Sequence, residues 1–276
     1  MNTTERTNNQ ETLTDSNYQK VREWLREKSG VELGDKRHVL VQSRLNRRLK
    51  EISAKNINVY IDWLSNPENE KNPEWENFID VLTTHETYFY REAQHFDFLR
   101  QMIVPEYRKK NFRVLSAACS SGEEVYTLAF ELAESLGLNS NWTVKGVDIS
   151  NDVIKTAKLG YYNESRARMV PENIRKKYLL KGVGEHQGFC KVKKNIQEKI
   201  TFGTANILKP IKPSPFQLIF CRNILIYFDN ETKRQLIKNL FNHLSEGGYL
   251  IVSQTEQLRD YVSANMLVSS SIARKC

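Results

Sequence analysis

The feature that most constrains this chain is a repeated strand-then-helix order in its second half. Residues 112–118 read as a strand and 123–136 as a helix, and 143–147 followed by 151–159 repeats the pair. Further strand-length apolar runs occupy 199–203, 216–221 and 249–253. A helix over 231–244 is expected to stop at Ser245-Glu246-Gly247-Gly248, with a last strand near 266–273. Alternation of this kind argues for a parallel, doubly wound sheet with helices on both faces.

The first half reads differently. From Tyr18 to about Leu82 the pattern is helical, with stops at Gly30 and Gly34 and breaks near Pro67 and Pro73. A linking helix is expected through Phe96, Leu99 and Ile103. Residues 1–17 lack the apolar stretch of a signal peptide and read as a disordered tail. The expected organisation is therefore a tail at 1–17, a helical N-terminal domain with the start of the linker at 18–91, and a sheet domain at 92–276. Between 181 and 197, Gly182, Gly184 and Gly188 punctuate a basic stretch in which Phe189, Lys191, Val192 and Lys193 suggest short antiparallel strands inserted into the sheet domain.

The four cysteines, Cys119, Cys190, Cys221 and Cys276, form no C-x-x-C pair, so neither a disulfide framework nor a zinc site is indicated. A cytoplasmic setting fits that pattern. No apolar run approaches the roughly 20 residues that span a bilayer, which argues against membrane insertion. The net charge is +8, and eleven Lys or Arg against five Asp or Glu between Tyr18 and Lys55 supply +6 of it. On a helix starting near Lys36, Val41, Leu45, Leu49 and Ile52 form an apolar stripe beside an arc of Lys36, Arg37, Arg44, Arg47 and Arg48. Such an arc is either a solvated face or a docking surface for an acidic partner.

Ligands of open α/β sheets sit beyond the carboxyl ends of the strands. Four polar segments fall there: the Cys119-Ser120-Ser121-Gly122-Glu123-Glu124 loop, Asp148, Asn206, and Arg222-Asn223. A pyrophosphate-binding loop wants several glycines and a helix N-terminus free of negative charge. This loop has one glycine and two adjacent carboxylates, which favours S-adenosylmethionine, a cationic donor without phosphate. Asp148 is then placed to accept hydrogen bonds from ribose hydroxyls. Each residue has a plainer reading: the glutamates as helix-dipole complements, Asp148 as an N-cap, Asn206 and Asn223 as turn formers, Tyr227 and Phe228 as core aromatics.

Four segments carry a resemblance. Residues 83–92 (Thr-Thr-His-Glu-Thr-Tyr-Phe-Tyr-Arg-Glu), 116–124 (Ser-Ala-Ala-Cys-Ser-Ser-Gly-Glu-Glu) with Val147-Asp148-Ile149, and 220–229 (Phe-Cys-Arg-Asn-Ile-Leu-Ile-Tyr-Phe-Asp) closely resemble signature segments of the CheR family of chemotaxis protein-glutamate methyltransferases. The likeness runs in order from about Tyr18 to the C-terminus. It implies a Rossmann-like methyltransferase sheet carrying a small antiparallel β insertion, behind an all-helical N-terminal domain. It implies methyl transfer from S-adenosylmethionine to glutamates of methyl-accepting chemotaxis receptors, with S-adenosylhomocysteine as product. The positions matching family residues around the cofactor are His85, Thr87, Arg91, Glu124, Asp148, Asn206, Ile207, Arg222 and Asn223. Those matching Arg91 and Tyr227 face the reacting groups. It further implies that the insertion can hold a receptor's C-terminal tail as an added strand, with Lys191, Lys193 and Lys194 near an acidic peptide.

The chain departs from the family pattern at His85, where asparagine is usual, at Val125, where proline is usual, and at Ser253, where glycine is usual before Thr255-Glu256. The first bears on one cofactor hydrogen bond; the other two read as packing changes. His85 also leaves open a catalytically weak, cofactor-binding sensor or receptor-tethered adaptor on the same fold. A nucleic-acid methyltransferase is disfavoured, because no Asp/Asn-Pro-Pro-aromatic segment occurs and the seven prolines include no adjacent pair.

Overall fold

The computed structural model describes residues 12–212 and 215–276. They divide into two compact units, one ending at Thr84 and one from His85 to Cys276, so the division precedes the expected boundary at 91. Of the tail expected at 1–17, residues 1–11 lie outside the described residues.

The first unit is helical: α1 (Asp15–Ser29), α2 (His38–Glu51), α3 (Ile57–Ser65) and α4 (Glu74–Leu82). Helix α1 starts three residues before Tyr18 because the Thr14 side chain accepts the Asn17 N–H and satisfies a donor the helix cannot. Gly30, in the left-handed region at φ 79°, ends it. Trp24, Trp75 and Phe78 pack edge to face, with centroids 5.0–5.9 Å apart, and Tyr18, Leu25 and Leu45 are wholly buried in the same unit.

Helix α2 buries Val41, Leu45 and Leu49 as expected, whereas Ile52, at the helix end, is 38% exposed. Lys36 and Arg37 lie in the turn before the helix rather than on it. Two members of the expected basic arc are engaged within the unit. Arg48 donates to both Glu74 carboxylate oxygens at 2.8 and 2.6 Å and to Glu51 at 2.9 Å. Arg44 binds the Leu82 and Thr83 carbonyls at 2.5 and 3.0 Å, satisfying acceptors at the end of α4. Lys36, Arg37 and Arg47 remain exposed.

The second unit runs through α5 (Gln94–Phe98), β1 (Phe112–Ala117), α6 (Glu123–Leu136), β2 (Trp142–Asp148), α7 (Asn151–Leu159), β3 (Tyr161–Asn163), α8 (Glu172–Tyr178), β4 (Leu179–Lys181), β5 (Phe189–Val192), α9 (Lys194–Gln197), β6 (Ile200–Thr204), β7 (Phe216–Phe220), α10 (Asn230–His243), β8 (Leu244–Ile251), β9 (Leu267–Ser269) and β10 (Ile272–Arg274). The main sheet has the order β6-β2-β1-β7-β8-β10-β9. Its first five strands are parallel, and β10 and β9 are added antiparallel. The chain winds outward from β1 through β2 to β6, then restarts at β7 on the other side. The topological switch point therefore lies between β1 and β7. Both strands are almost wholly buried, as their apolar runs require. Phe96, Leu99 and Ile103, expected in a linking helix, belong to this unit's core.

Three expectations are corrected. The Ser-Glu-Gly-Gly stretch does not stop α10 in a loop: β8 begins at Leu244 and absorbs it as a bulge, pairing Phe216 with Leu244 and Leu218 with Tyr249. The single last strand is a hairpin of β9 and β10. The insertion is larger than 181–197: β3, β5 and β4 form a separate antiparallel sheet in that order, spanning 161–192, and 194–197 is helical. Gly182 is required there, since a Cβ would lie 1.9 Å from the His186 carbonyl oxygen. Lys191 is exposed, but Lys193 donates to the Lys177 carbonyl at 2.7 Å, closing the end of α8, and Lys194 pairs with Glu198 at 3.9 Å.

Candidate functional site

The loop after β1 is bent back under α6. Ala118 and Ser120 hold φ of 61° and 50°, and Gly122 holds 93°. A Cβ on Gly122 would sit 2.8 Å from that of Ala157, so only glycine lets α7 pack here. This loop is fastened to the end of β2: the Ser120 N–H donates to Asp148 Oδ2 at 2.8 Å, and the Ser150 N–H donates to Oδ1 at 3.1 Å. Ser120 Oγ also donates to the His85 carbonyl at 2.7 Å, and His85 Nδ1 lies 3.8 Å from Asp148 Oδ1.

Asp148 is not the cap of α7. That role belongs to Ser150, whose hydroxyl accepts the Val153 N–H at 3.2 Å. Asp148 is 4% exposed, and burial pushes its pKa up against the opposing pull of His85 and of the backbone N–H groups of Ser150 and Ser120. Its oxygens accept the Ser120 and Ser150 N–H groups, and a carboxylate with about four lone-pair sites keeps acceptor capacity for a further donor.

At the end of β7, Arg222 is buried between two carboxylates. Its Nη1 is 3.3 Å from Glu124 Oε2, its Nη2 is 3.4 Å from Glu92 Oε2, and Nη2 donates to the Arg91 carbonyl. The guanidinium lies 5.6 Å from the ring centroids of Phe96 and of Phe220. Among the described residues Nε and Nη1 have no hydrogen-bond partner, so charge and ring contact hold this group more than hydrogen bonding does. Glu124 also accepts from Ser116 Oγ at 2.7 Å. Burial raises its pKa while Arg222 and Ser116 pull it down.

The two loop carboxylates have parted company. Glu124 faces Arg222, whereas Glu123 is fully buried, pairs with Arg166 at 2.6 Å and accepts from Ser121 Oγ at 2.7 Å. Only Glu124 stands with the strand-end cluster, so the acidic character of the loop rests on one residue rather than two.

Asn223 extends the cluster. In the left-handed region at φ 59°, it donates from Nδ2 to Glu92 at 3.1 Å and to Ser253 Oγ at 2.9 Å. Asn206 follows β6, one residue after Ala205, whose N–H donates to the Asp148 carbonyl at 2.8 Å. Ile207 is buried and its carbonyl accepts from Asn239 at 2.9 Å. Arg91 sends its side chain elsewhere, donating to the Glu86 carbonyl at 2.9 Å beside the Tyr88 ring, and the Thr87 carbonyl accepts from Arg166 at 3.2 Å. Tyr227 sits in a short 3₁₀ turn after β7, and its hydroxyl makes no hydrogen bond among the described residues. Direct contacts form two groups, His85 with Asp148 through Ser120, and Glu124, Glu92, Asn223 and the Arg91 carbonyl around Arg222; the Arg91 and Tyr227 side chains are not drawn into either network.

Sequence reasoning missed Glu92 and Glu256, and it misread Ser253. Glu92 accepts from Asn223, from Ser253 Oγ at 2.8 Å and from the Gln254 N–H at 3.1 Å. Burial alone would raise its pKa, but Arg222 and these hydrogen bonds outweigh it and hold the carboxylate below its ordinary value. Glu256, also buried, accepts the N–H groups of Ser253, Asn223 and Leu225 at 2.8, 3.1 and 2.8 Å, locking the ends of β7 and β8 together. Ser253 is a hydrogen-bonded bridge rather than a packing change, while Val125, wholly buried against Gly146, does read as packing. Glu92 closes the first resembling segment and Glu256 follows the Ser253 departure from the family pattern, which was the available signal.

Two family profiles cover nearly the whole chain: "CheR methyltransferase, all-alpha domain" over 16–83 and "CheR methyltransferase, SAM binding domain" over 85–273. Among characterised relatives, a protein of Salmonella typhimurium named chemotaxis protein methyltransferase is 32% identical over 253 residues, covering 91% of this chain and 86% of its own. Proteins of the same name from Escherichia coli and Borreliella burgdorferi are 33% and 35% identical, covering 88% and 83% of this chain and 85% and 84% of theirs.

Proposed function

Since this chain belongs to the CheR methyltransferase family, we propose that it esterifies glutamate side chains of methyl-accepting chemotaxis receptors. It is a chemotaxis methyltransferase that uses S-adenosylmethionine, and the finer step is the choice of glutamate carboxylate as acceptor. The observation that carries the reading of the donor site is a pair of carboxylates at neighbouring strand ends, the buried Asp148 after β2 and the half-buried Glu124 after β1, with no glycine-rich phosphate cradle between them. Burial disfavours both charges, and a cationic ligand relieves that cost where a pyrophosphate would add to it.

S-adenosylmethionine supplies a methyl group already activated by its sulfonium. A receptor glutamate, with an ordinary pKa of about 4.3, is ionised near neutral pH, so the protein needs no general base. Its residues therefore work by alignment. Asp148 accepts ribose hydroxyl hydrogens, and Glu124 answers the donor's positive charge. Arg222, buried as it is, fixes Glu124, Glu92 and the Arg91 carbonyl rather than reaching outward. His85, Thr87, Asn206, Ile207 and Asn223 complete the donor site. The side chains of Arg91 and Tyr227, outside the network, are the groups left to orient the acceptor carboxylate.

The exposed cations Lys36, Arg37 and Arg47 suit an acidic receptor surface. The insertion sheet has β3 and β4 at its two edges, which supports docking of a receptor tail as a further strand beside exposed Lys191. No helix among the described residues is long and apolar enough to cross a membrane, and we place the enzyme in the cytoplasm, where receptor signalling domains lie.

The test is to incubate the protein with methyl-labelled S-adenosylmethionine and purified receptor cytoplasmic fragments. Label that mild alkali releases as methanol marks a carboxylate ester and is the expected result. Label that resists alkali, or none on the fragments, overturns the assignment.

A further inference from the structure

The β insertion reaches into the donor site. Arg166, in the turn after β3, uses one guanidinium nitrogen for three groups: the Glu123 carboxylate at 2.6 Å, the Thr87 carbonyl at 3.2 Å and Ser121 Oγ at 3.3 Å. Tyr162, in β3 itself, donates its hydroxyl to the Ser121 carbonyl at 2.6 Å. Both contacts fall on the loop whose next residue back, Ser120, donates its N–H to Asp148 and its hydroxyl to the His85 carbonyl.

From this geometry we propose that Arg166 and Tyr162 are positioning residues of the donor site: they clip the 85–87 segment to the loop after β1 and so set the Asp148 carboxylate. The proposal rests on the reading of Asp148 as donor-binding. An ordinary surface ion pair is a poor description of Arg166–Glu123, because the Glu123 side chain is 0% exposed and the Arg166 side chain only 39%. Burial pushes the Glu123 pKa up and Arg166 is the first group opposing it. Without that cation, a buried carboxylate in the middle of the loop loses its counter-charge, and the loop must shift or take up a proton. A guanidinium suits the task, since it keeps its charge at any ordinary pH and so gives the buried Glu123 carboxylate a permanent counter-charge. The insertion, on this view, supports the methyl donor as well as meeting the receptor.

Binding of S-adenosylhomocysteine, followed by titration calorimetry on the full chain, tests it. Arg166→Met is expected to weaken binding roughly tenfold to a hundredfold, the equivalent of losing hydrogen bonds to a charged group. Arg166→Lys should fall between it and the unaltered protein, and Tyr162→Phe should weaken binding severalfold. The decisive readout is coupling: in an Asp148→Ala background, Arg166→Met should have little further effect on affinity, whereas a merely structural residue keeps its full effect. Folded Arg166→Met and Arg166→Lys proteins that bind as tightly as the original overturn the proposal, as do additive losses with Asp148→Ala. Should Arg166→Met not fold, Arg166→Lys decides alone, and unchanged affinity overturns it. An Asp148→Ala protein that binds as tightly as the original fails the donor-site reading itself, whatever the Arg166 variants do.

Discussion

Replacing Asp148 by asparagine changes one oxygen to an NH₂ and leaves the shape intact, yet the structure predicts a clear penalty. The two backbone donors go to different oxygens, Ser120 N–H to Oδ2 and Ser150 N–H to Oδ1, at 2.8 and 3.1 Å. Asparagine offers one acceptor, so either orientation of its amide faces a backbone N–H with another N–H. Leaving one buried donor unmet costs about 1–3 kcal/mol. Burial already disfavours the ionised Asp148, so removing the charge returns part of this, and a net loss of about 1–2 kcal/mol is expected. Asp148→Ala leaves both donors unmet and should lose about twice as much. Affinity for S-adenosylhomocysteine should fall roughly tenfold to a hundredfold in both, with the loss of a charged acceptor for the ribose. Denaturant unfolding and titration calorimetry on the three proteins check the order. An asparagine variant as stable as the original refutes the account of the loop, and unchanged affinity refutes the ribose role.

Three further outcomes are expected. Burial, then Arg222, push the His95 pKa down to about 4 while Glu92 opposes. The folded form therefore binds fewer protons than the unfolded chain between about pH 4 and 6.5, stability rises with pH across that window by up to roughly 3 kcal/mol, and His95→Gln should flatten the rise in unfolding curves taken at pH 5 and 6.5. Reversing Lys36, Arg37 and Arg47 to Glu should slow receptor methylation and flatten its salt dependence while S-adenosylhomocysteine affinity holds; unchanged rates at low salt reduce the arc to a solvated face. Receptors carrying their C-terminal tail should be methylated faster than tailless ones well below saturation, and equal rates dispose of the tether for that receptor.

The main sheet was legible because most of its strands are apolar runs alternating with helices of full length, and the strand-end positions of the candidate site follow from that winding. What the sequence hid was non-local or short. Tyr161-Tyr162-Asn163 is three residues, too few to show a period of two, so the insertion's first strand went unseen and its start was placed at 181. Gly247-Gly248 reads locally as a helix stop, but the pairing of β8 with β7 overrides that preference. Arg44 and Arg48 showed only their charge; their partners, Leu82, Thr83 and Glu74, lie 26 to 39 residues away. Arg166 is separated from Thr87 by 79 residues, and nothing in its neighbourhood announces that contact.

Five residues with side chains hold the left-handed backbone around the site: Tyr90, Glu92, Ala118, Ser120 and Asn223. Each such residue costs on the order of 1 kcal/mol or more and keeps its shape only while its surroundings insist on it. As the protein is warmed, those surroundings slacken locally before the sheet gives way. Turnover should therefore fail several degrees below the temperature at which the fold melts, and a tightly held product should narrow that gap by lending the loops the support they are losing.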